Sequence, residues 1–425
     1  MPGTARLRPV DSRTLRAAVA GYLIVLITAS VTVADRSTEE NARSSKALRS
    51  MARVCMAYGK YAKAQPLVEQ ALVLAKAENA SGPELCSCLI DLAYLYKLQG
   101  RFTDAEEMCQ QGLKIQQKIY FENHPYIAGT LQILSSIYQQ QGDYQKAMLV
   151  LNQAMDIMQE SCRPQDPVFA PFYVAAADIL VEQGHFAQAE NYYQRAMALI
   201  DEEQGPHSLY RAVTLGKIAW LYTLQRRYAE AEQLMERVLP IQEKVYGPEH
   251  HLLLPTWLTI AKVRQAQQQY PQAETLLHKA LAAAEKQYGP EHPLTGKVLS
   301  SLGEVYIAQA NFTAAESVCR KAAQVLENSL GPHNDYTAMA LNNLAQIYIH
   351  QKKYPQAGEL CQKALKMLNE RFDCAHPKLE SVHETIVLLE QKSKTEIKTA
   401  TLGQRIDKND NPQHVVNMIS LETIE

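Results

Sequence analysis

The 425-residue chain is short of several features that would indicate a particular chemistry. Its 43 Lys and Arg are balanced by 45 Asp and Glu, which gives no support for a nucleic-acid binder resting on a broad basic surface. With 18 Gly and 19 Pro it is not a low-complexity or collagen-like chain. It contains no Gly-rich phosphate loop, no His-Glu-x-x-His and no nucleophile elbow. These absences argue against an enzyme and against a cofactor.

Cysteine is also scarce, since eight residues in a chain of this length are too few for a small disulfide-built fold. The closest pair, Cys86 and Cys88, lacks the two-residue gap of a thioredoxin-like or zinc motif. Cys109, Cys319 and Cys361 share one position of the repeat described below, where cysteine acts as a small hydrophobic residue. We therefore expect thiols with packing roles.

Five of the twelve histidines lie in linkers, each at the end of a different repeat: His124, His250, His292, His333 and His376. Neighbouring repeats in a stack are displaced by at least about 10 Å, the diameter of a helix. A metal with ligand bonds of about 2 Å cannot be shared over that distance. We therefore predict no metal site, and expect these histidines to cap or contact the helix that follows.

The amino terminus differs from the rest of the chain. Residues 1–16 carry four arginines and one acid, and residues 17–34 form an apolar run that ends in small residues. This layout is typical of a secretory signal. The run could also just cross a bilayer, which takes roughly 20 residues. Residues 1–36 are thus predicted to be a cleaved signal or a single-pass membrane anchor that places the rest on the periplasmic or extracytoplasmic side, and a cytoplasmic protein is the alternative.

One pattern returns along the chain about every 42 residues. An aromatic residue is followed three positions later by alanine, with a small residue nine positions before the aromatic. The aromatics are Tyr61, Phe102, Tyr144, Phe186, Tyr228, Tyr270, Phe312 and Tyr354. A fixed period in this range is the sequence signature of a solenoid.

The repeated pattern predicts a hairpin of two helices. In the eighth repeat, Leu341, Leu344 and Tyr348 recur at three- and four-residue steps, so they lie on one helical face. Small residues at fixed positions let the two helices approach closely, and the aromatic fills the gap where they diverge. Thr103 and Thr313, each three residues before a glutamate, are predicted to start capping boxes at the second helix.

Residues 340–368 (ALNNLAQIYIHQKKYPQAGELCQKALKML) resemble the tetratricopeptide repeat, in the 42-residue version found in kinesin light chains. Linkers such as Tyr288-Gly-Pro-Glu-His-Pro293 are similar too. The resemblance implies an all-α fold, a right-handed superhelical solenoid of about eight repeats over residues 44–371. An incomplete ninth repeat predicts a capping helix over 372–396, and residues 397–425 are expected to be a flexible tail.

The first helix of each repeat is expected to line the concave side of the solenoid, which is the usual binding surface of such folds. Residues ten, nine, six and three places before each turn should point inward. The candidate peptide-binding residues chosen from these positions are Tyr94, Lys97, Trp220, Lys262, Asn342, Asn343 and Gln346. In the family, asparagine at the place of Asn343 commonly holds the main chain of a bound peptide.

Two functional hypotheses follow from the sequence. The first is a non-enzymatic scaffold or adaptor that binds a peptide or a segment of a partner protein in the concave groove. The second is a regulatory or assembly subunit that docks on an enzyme or envelope machine through its convex face or tail. Neither hypothesis involves nucleic acid, and membrane contact is expected only through residues 17–34.

Overall fold

The computed structural model describes residues 44–406, apart from residues 58, 79–81, 122, 164, 205–207, 332–333 and 373–375. The predicted signal or anchor, residues 1–36, lies outside the described residues. The part that is described consists of seventeen α-helices and two single-turn 3₁₀ helices, and it contains no strand. The all-α prediction is confirmed.

Sixteen of these helices form eight consecutive hairpins, which we call units 1 to 8. The segment between the two helices of a unit is its turn, and the segment between two units is a linker. The helices are α1 Ser45–Ala57 and α2 Tyr61–Glu78; α3 Pro83–Leu98 and α4 Phe102–Ile119; α5 Pro125–Gln141 and α6 Tyr144–Ser161; α7 Ala170–Glu182 and α8 Phe186–Gln204; α9 Leu209–Leu224 and α10 Tyr228–Tyr246; α11 Leu254–Ala266 and α12 Tyr270–Tyr288; α13 Pro293–Ala308 and α14 Phe312–Leu330; α15 Asp335–His350 and α16 Tyr354–Asn369. The 3₁₀ helices, Pro167–Phe169 and His251–Leu253, precede α7 and α11.

Close contact between the two helices of each unit explains the repeated small residues. The alanine three positions after the aromatic has no solvent exposure in any of the eight units: Ala64, Ala105, Ala147, Ala189, Ala231, Ala273, Ala315 and Ala357. In unit 7 the facing small residue is Gly303, where a Cβ would collide with the Sγ of Cys319. Cys109, Cys319 and Cys361 are buried free thiols in this packing, as predicted.

A repeated polar contact joins neighbouring units. In unit 3, Tyr138 and Gln141 near the end of the first helix donate hydrogen bonds of 3.1 and 3.0 Å to Glu106 on the second helix of unit 2. Arg264, which stands where most units have tyrosine, donates to Glu232 and so preserves the same contact. The predicted capping boxes are therefore wrong. Glu106 and Glu316 bind the next unit, and helices α4 and α14 begin before Thr103 and Thr313.

Helix α17, Pro377–Ile406, covers the end of unit 8. Its Leu379 and Val382 have no solvent exposure, and Leu389 lies against Gly358 of α16. The helix thus has the apolar inner face that the sequence predicts for a cap. It continues for ten residues beyond the predicted end at residue 396, so the first part of the predicted tail is helical.

Candidate binding groove and the contacts that close the superhelix

The first helices of the units lie on the concave side. First helices of neighbouring units contact each other throughout the described residues, whereas no comparable contact joins neighbouring second helices. The helices that are closer together must be on the inside of the curve. Of the seven predicted groove residues, two lie on α3, one on α9, one on α11 and three on α15: Tyr94, Lys97, Trp220, Lys262, Asn342, Asn343 and Gln346.

Lys97 is a half-buried cation without a carboxylate partner among the described residues. Its Nζ donates to the Oγ of Ser136 at 3.1 Å and lies 4.8 Å from the ring centroid of Tyr94. Burial, with a smaller contribution from the positive charge of Lys217 in unit 5, lowers the pKa of Lys97 to about 8. The groove therefore contains an ammonium group that a bound carboxylate would stabilise.

Trp220 follows Lys217 by three residues on α9, and its side chain is partly exposed while it packs against the largest apolar cluster. Lys217 itself is paired, with its Nζ 2.5 Å from the Oδ2 of Asp178. Tyr193 donates to the other oxygen of that carboxylate at 2.6 Å. An aromatic surface thus lies beside a neutralised ion pair.

The charge of Lys262 is also balanced by a carboxylate, because its Nζ is 2.5 Å from the Oε2 of Glu304 on the next first helix. Burial alone would lower the pKa of Lys262, but the charge of Glu304 outweighs it, so the pKa is raised. An anionic ligand would have to compete with Glu304 for this lysine.

The two asparagines are withdrawn from solvent. Asn342 has no exposed surface and donates to the Oγ of Ser381 on α17, and Asn343 is 3 % exposed and donates to Ser300 on α13. Gln346 donates to Thr385 at 3.3 Å. These three amides join α15 to the first helices on either side, so in this structure they hold the units together.

Successive turns of the superhelix contact each other, because the turns of units 1 to 4 lie against the linker regions of the second half. Gln287 donates to the carbonyl of Gly59 in the turn of unit 1, and Arg371 donates to the carbonyl of Gly142 in the turn of unit 3 at 2.5 Å. Both residues of the second contact lie two units further along the chain than the residues of the first contact. They therefore form a regular seam between successive turns of the superhelix.

Histidines of the same linkers bind the turns of units 2 and 4. The Nε2 of His292 lies 3.3 Å from the carbonyl oxygen of Leu98, and the Nε2 of His376 lies 2.9 Å from that of Glu182. Burial lowers the pKa of both histidines to about 4, so both are neutral near pH 7.

A buried group of charges adds to the seam beside unit 4. Lys378 bonds Asp335 at 2.5 Å and Glu182 at 3.0 Å. Tyr144 donates to Asp335 at 3.1 Å, and Tyr336 donates to Glu182 at 2.9 Å. Burial of Asp335 opposes its ionisation, but Lys378 prevails and keeps its pKa below the ordinary value. Units 3 and 4 are thus joined to unit 8 and the capping helix by a largely buried group of charges and hydrogen bonds.

Comparison with known families agrees with this geometry. A tetratricopeptide repeat model matches residues that together cover well over half of the chain: 43–115, 86–160, 170–244, 252–318 and 299–370. The chain belongs to the tetratricopeptide repeat family. No curated protein has a sequence that matches it.

Solved structures with the same kind of fold include a Rap protein crystallised with competence and sporulation factor. It is 16 % identical, has a TM-score of 0.53, and the match covers 78 % of this chain and 94 % of that one. A putative kinesin light chain repeat protein from Podosopora anserina is 23 % identical with a TM-score of 0.38, over 47 % of this chain and 95 % of that one. The first of these similarities shows a shared fold.

Two other kinds of site do not occur among the described residues. No helix among them is long and apolar enough to cross a membrane. No three or more His, Cys, Asp or Glu side chains in that part of the chain come together in a way that could hold a metal ion. Four of the five linker histidines cap helices as predicted, since the Nδ1 atoms of His124, His250, His292 and His376 accept backbone N–H groups at 3.1–3.2 Å. His333 lies outside the described residues.

The seam between successive superhelical turns is the part of this tetratricopeptide structure that sequence reasoning missed. A signal for it was present, because the turns of units 1 to 4 carry glycine whereas those of units 5 to 8 carry other residues. All eight of these residues have positive φ angles, so the backbone conformation of the turn does not explain the difference.

Proposed function

We propose that this tetratricopeptide repeat protein is a non-enzymatic interaction scaffold whose groove binds an extended, acidic segment of a partner protein beside Lys97 and Trp220. The family and the fold support protein–protein interaction as the general role. Stacked helical hairpins present an extended concave surface suited to such a segment.

The observation that carries the proposal is the state of Lys97. Three lysines lie on the first helices among or beside the predicted groove residues. Lys217 and Lys262 each have a carboxylate oxygen at 2.5 Å, and Lys97 has none among the described residues. A half-buried ammonium without a counter-charge gains most from a ligand carboxylate, because charge-assisted hydrogen bonds are strongest where water is partly excluded.

Trp220 supplies the apolar part of the proposed site. Tryptophan is over-represented among the residues that dominate binding at interfaces, and partial exposure leaves it available to a ligand. Asn342 and Asn343 are not included in the proposed site, because both are buried and bonded to neighbouring helices.

The test begins with a pull-down to obtain a partner, whose binding segment is then measured by titration calorimetry. Lys97→Met keeps the stem of the side chain and removes the charge, and we expect it to weaken binding about tenfold or more, which is about 1.4 kcal/mol. Trp220→Ala should cost about 2 kcal/mol. Salt should weaken binding to the native chain more than binding to Lys97→Met.

Lys321→Met is the matched control, since Lys321 is an exposed lysine on the second helix of unit 7, the layer away from the groove. It should leave the affinity unchanged. If Lys97→Met and Trp220→Ala bind like the native chain, groove binding is refuted. Loss of affinity in Lys321→Met alone would favour the alternative, docking through the convex face.

We also propose that residues 1–36 export or anchor the chain, on the basis of the basic head and apolar run alone. Amino-terminal sequencing of native protein from membrane and soluble fractions tests this. A start near Asp35 indicates a cleaved signal, and Met1 in membranes indicates an anchor. Met1 in the cytosol contradicts export.

A further inference from the structure

The seam closes units 1 to 6 into a ring. Gln287, at the end of unit 6, donates to the carbonyl oxygen of Gly59 in the turn of unit 1. Helices of neighbouring units contact each other all along the stretch between these two residues. Because the first helices lie on the concave side, they form the wall of a channel through the ring. A side chain on that wall is enclosed laterally by the other units.

The helices run lengthwise along this channel. The turn of unit 2 lies against the start of α13, since a Cβ on Gly100 would be 2.9 Å from the Cδ of Pro293. The turn of unit 4 meets the start of α17 in the same way, because a Cβ on Gly184 would be 3.3 Å from the Cδ of Pro377. One superhelical turn thus continues end to end into the next, and the channel is entered along its axis.

Lys97 lies deep in the channel. It is the fifteenth of the sixteen residues of α3, so it is about 21 Å from the start of that helix at a rise of about 1.5 Å per residue. Beyond Lys97 the wall continues with α13, where the Nε2 of His292 lies 3.3 Å from the carbonyl oxygen of Leu98. A polypeptide that enters at the start of α3 needs about six or seven extended residues to reach Lys97.

The channel is also narrow. The seam joins unit 1 to the end of unit 6 and unit 2 to the start of unit 7, so five to six first helices complete one superhelical turn. Packed helices are about 8–10 Å apart, which makes the ring of their axes at most about 19 Å across. A helix body of about 10 Å leaves a free width of at most about 9 Å. The charge of Lys217, three units further round the ring, accordingly contributes to the lowered pKa of Lys97.

A channel of this width accommodates one extended chain. A second strand paired with the first would lie about 4.8 Å away and bring its own side chains. An α-helix with its side chains is about 10–12 Å in diameter. An internal loop of a folded protein reaches Lys97 only as two strands, one that runs in and one that runs back. A chain end needs a single strand.

We propose that the acidic segment bound beside Lys97 is a free end of the partner protein, inserted along the channel as a single extended strand. This inference rests on the proposed function, because it concerns the same site. It adds that the end must be unfolded over at least about six or seven residues, and it excludes an acidic loop within a folded domain. Lys97, whose Nζ is bonded to Ser136 and to no carboxylate among the described residues, supplies the charge complementary to acidic side chains near that end.

The geometry is tested without the partner by thiol labelling of Lys97→Cys in the full chain. The reagents are N-ethylmaleimide, ubiquitin with a maleimide at the end of a Gly-Ser tail of about twelve residues, and ubiquitin with the maleimide on its folded surface. The first two should label Cys at position 97, and the third should react at least tenfold more slowly than the second. Peptide mass spectrometry locates the label, because the chain has other free thiols.

Lys321→Cys is the matched control, since Lys321 lies on α14 in the outer layer and its side chain is 47 % exposed. It should react with both ubiquitin reagents at similar rates. Ser136→Cys reports on the same depth if Lys97→Cys melts well below the native chain, because the Oγ of Ser136 is 3.1 Å from the Nζ of Lys97. The proposal is overturned if the surface reagent labels the channel as fast as it labels Lys321→Cys, or if the tailed reagent does not label the channel.

The partner obtained by pull-down provides the second test. Its binding segment is measured by titration calorimetry as a free peptide, with ubiquitin fused to either side, and with ubiquitin fused to both sides. At least one single fusion should bind like the free peptide, and the double fusion should bind at least tenfold more weakly. Equal binding of the double fusion would overturn the free-end proposal and leave groove binding intact. Equal binding of the free peptide to the native chain and to Lys97→Met and Trp220→Ala would refute groove binding itself.

Discussion

Units 1 to 4 and units 5 to 8 are built from the same pattern, but their turns have different surroundings. The left-handed turn residues have φ angles between 57° and 78° in all eight units. In the first half they are glycines that contact linkers of the second half, and in the second half they are exposed residues with side chains. Glycine is thus required in these turns by the segment of the same chain that packs against them, and not by the conformation of the turn itself.

The repeated aromatics show the same contrast. Tyr61, Phe102 and Tyr144 of units 1 to 3 are at most 9 % exposed, whereas Phe186 of unit 4 and the aromatics of units 5 to 8 are only half-buried. Tyr144 stacks on Phe372 with centroids 5.9 Å apart, a contact that exists only because the superhelix returns to this point. Position along the superhelix therefore decides how much each copy of the pattern contributes to stability.

The largest expected effect comes from the buried ion pairs of the seam. Lys378→Met removes the cation beside Asp335, which has no solvent exposure, and should lower the free energy of unfolding by about 3–5 kcal/mol. Lys352→Met breaks an exposed pair with Glu396, which solvent screens, and should change the free energy of unfolding far less. Urea unfolding measures both. Equal effects of Lys378→Met and Lys352→Met would contradict the distinction between the seam and the exposed turns of units 5 to 8.

The next largest effect concerns the aromatics. Tyr144→Ala should cost about 3–5 kcal/mol, because it leaves a cavity against Phe372 and removes a hydrogen bond to Asp335. Phe312→Ala should cost roughly half as much, since its ring is partly exposed and stacks on His350. Thermal melts of the two variants provide the check, and a larger loss for Phe312→Ala would contradict the comparison.

The seam histidines predict a pH dependence. Burial holds the pKa of His292 and His376 at about 4, below the ordinary value of 6.5, so between these values the unfolded chain binds more protons. The contribution of these two histidines to the free energy of unfolding should be fully present above pH 6.5. Between pH 6.5 and pH 4, each histidine should lower that free energy by about 1 kcal/mol for each unit by which the pH falls. His292→Asn and His376→Asn should flatten this slope in melts across that range, and an unchanged slope would assign it to other groups.

The smallest effect is a difference in sign at the turns. Gly100→Ala should destabilise by about 1–2 kcal/mol, because the left-handed conformation disfavours alanine and the Cβ meets the ring of Pro293. Ala310→Gly, at an exposed turn, should stabilise by up to about 1 kcal/mol by relieving the same strain. Chemical denaturation distinguishes the two signs, and destabilisation by both changes would show that the exposed turns are also covered.

Much of the fold was predictable because its determinants are local and repeat eight times. The spacing of aromatics and alanines predicted about eight hairpins over residues 44–371, and the helices of the eight units run from Ser45 to Asn369. The prediction that Lys97 and Trp220 face inward rests on helical periodicity, and both residues lie on first helices. Asn343 was harder, because a place on the inner face does not reveal that Ser300 of the preceding first helix binds and covers its amide.

The sequence by itself determined that the chain forms stacked hairpins with buried alanines and thiols, since each hairpin depends on contacts within one period. Only the tertiary structure decided that Tyr144 reaches Asp335 and that His376 reaches Glu182, residues separated by more than 190 positions. Those contacts depend on the pitch of the superhelix, which accumulates small rotations from every unit. No single repeat contains that information, so the seam became visible only in the assembled fold.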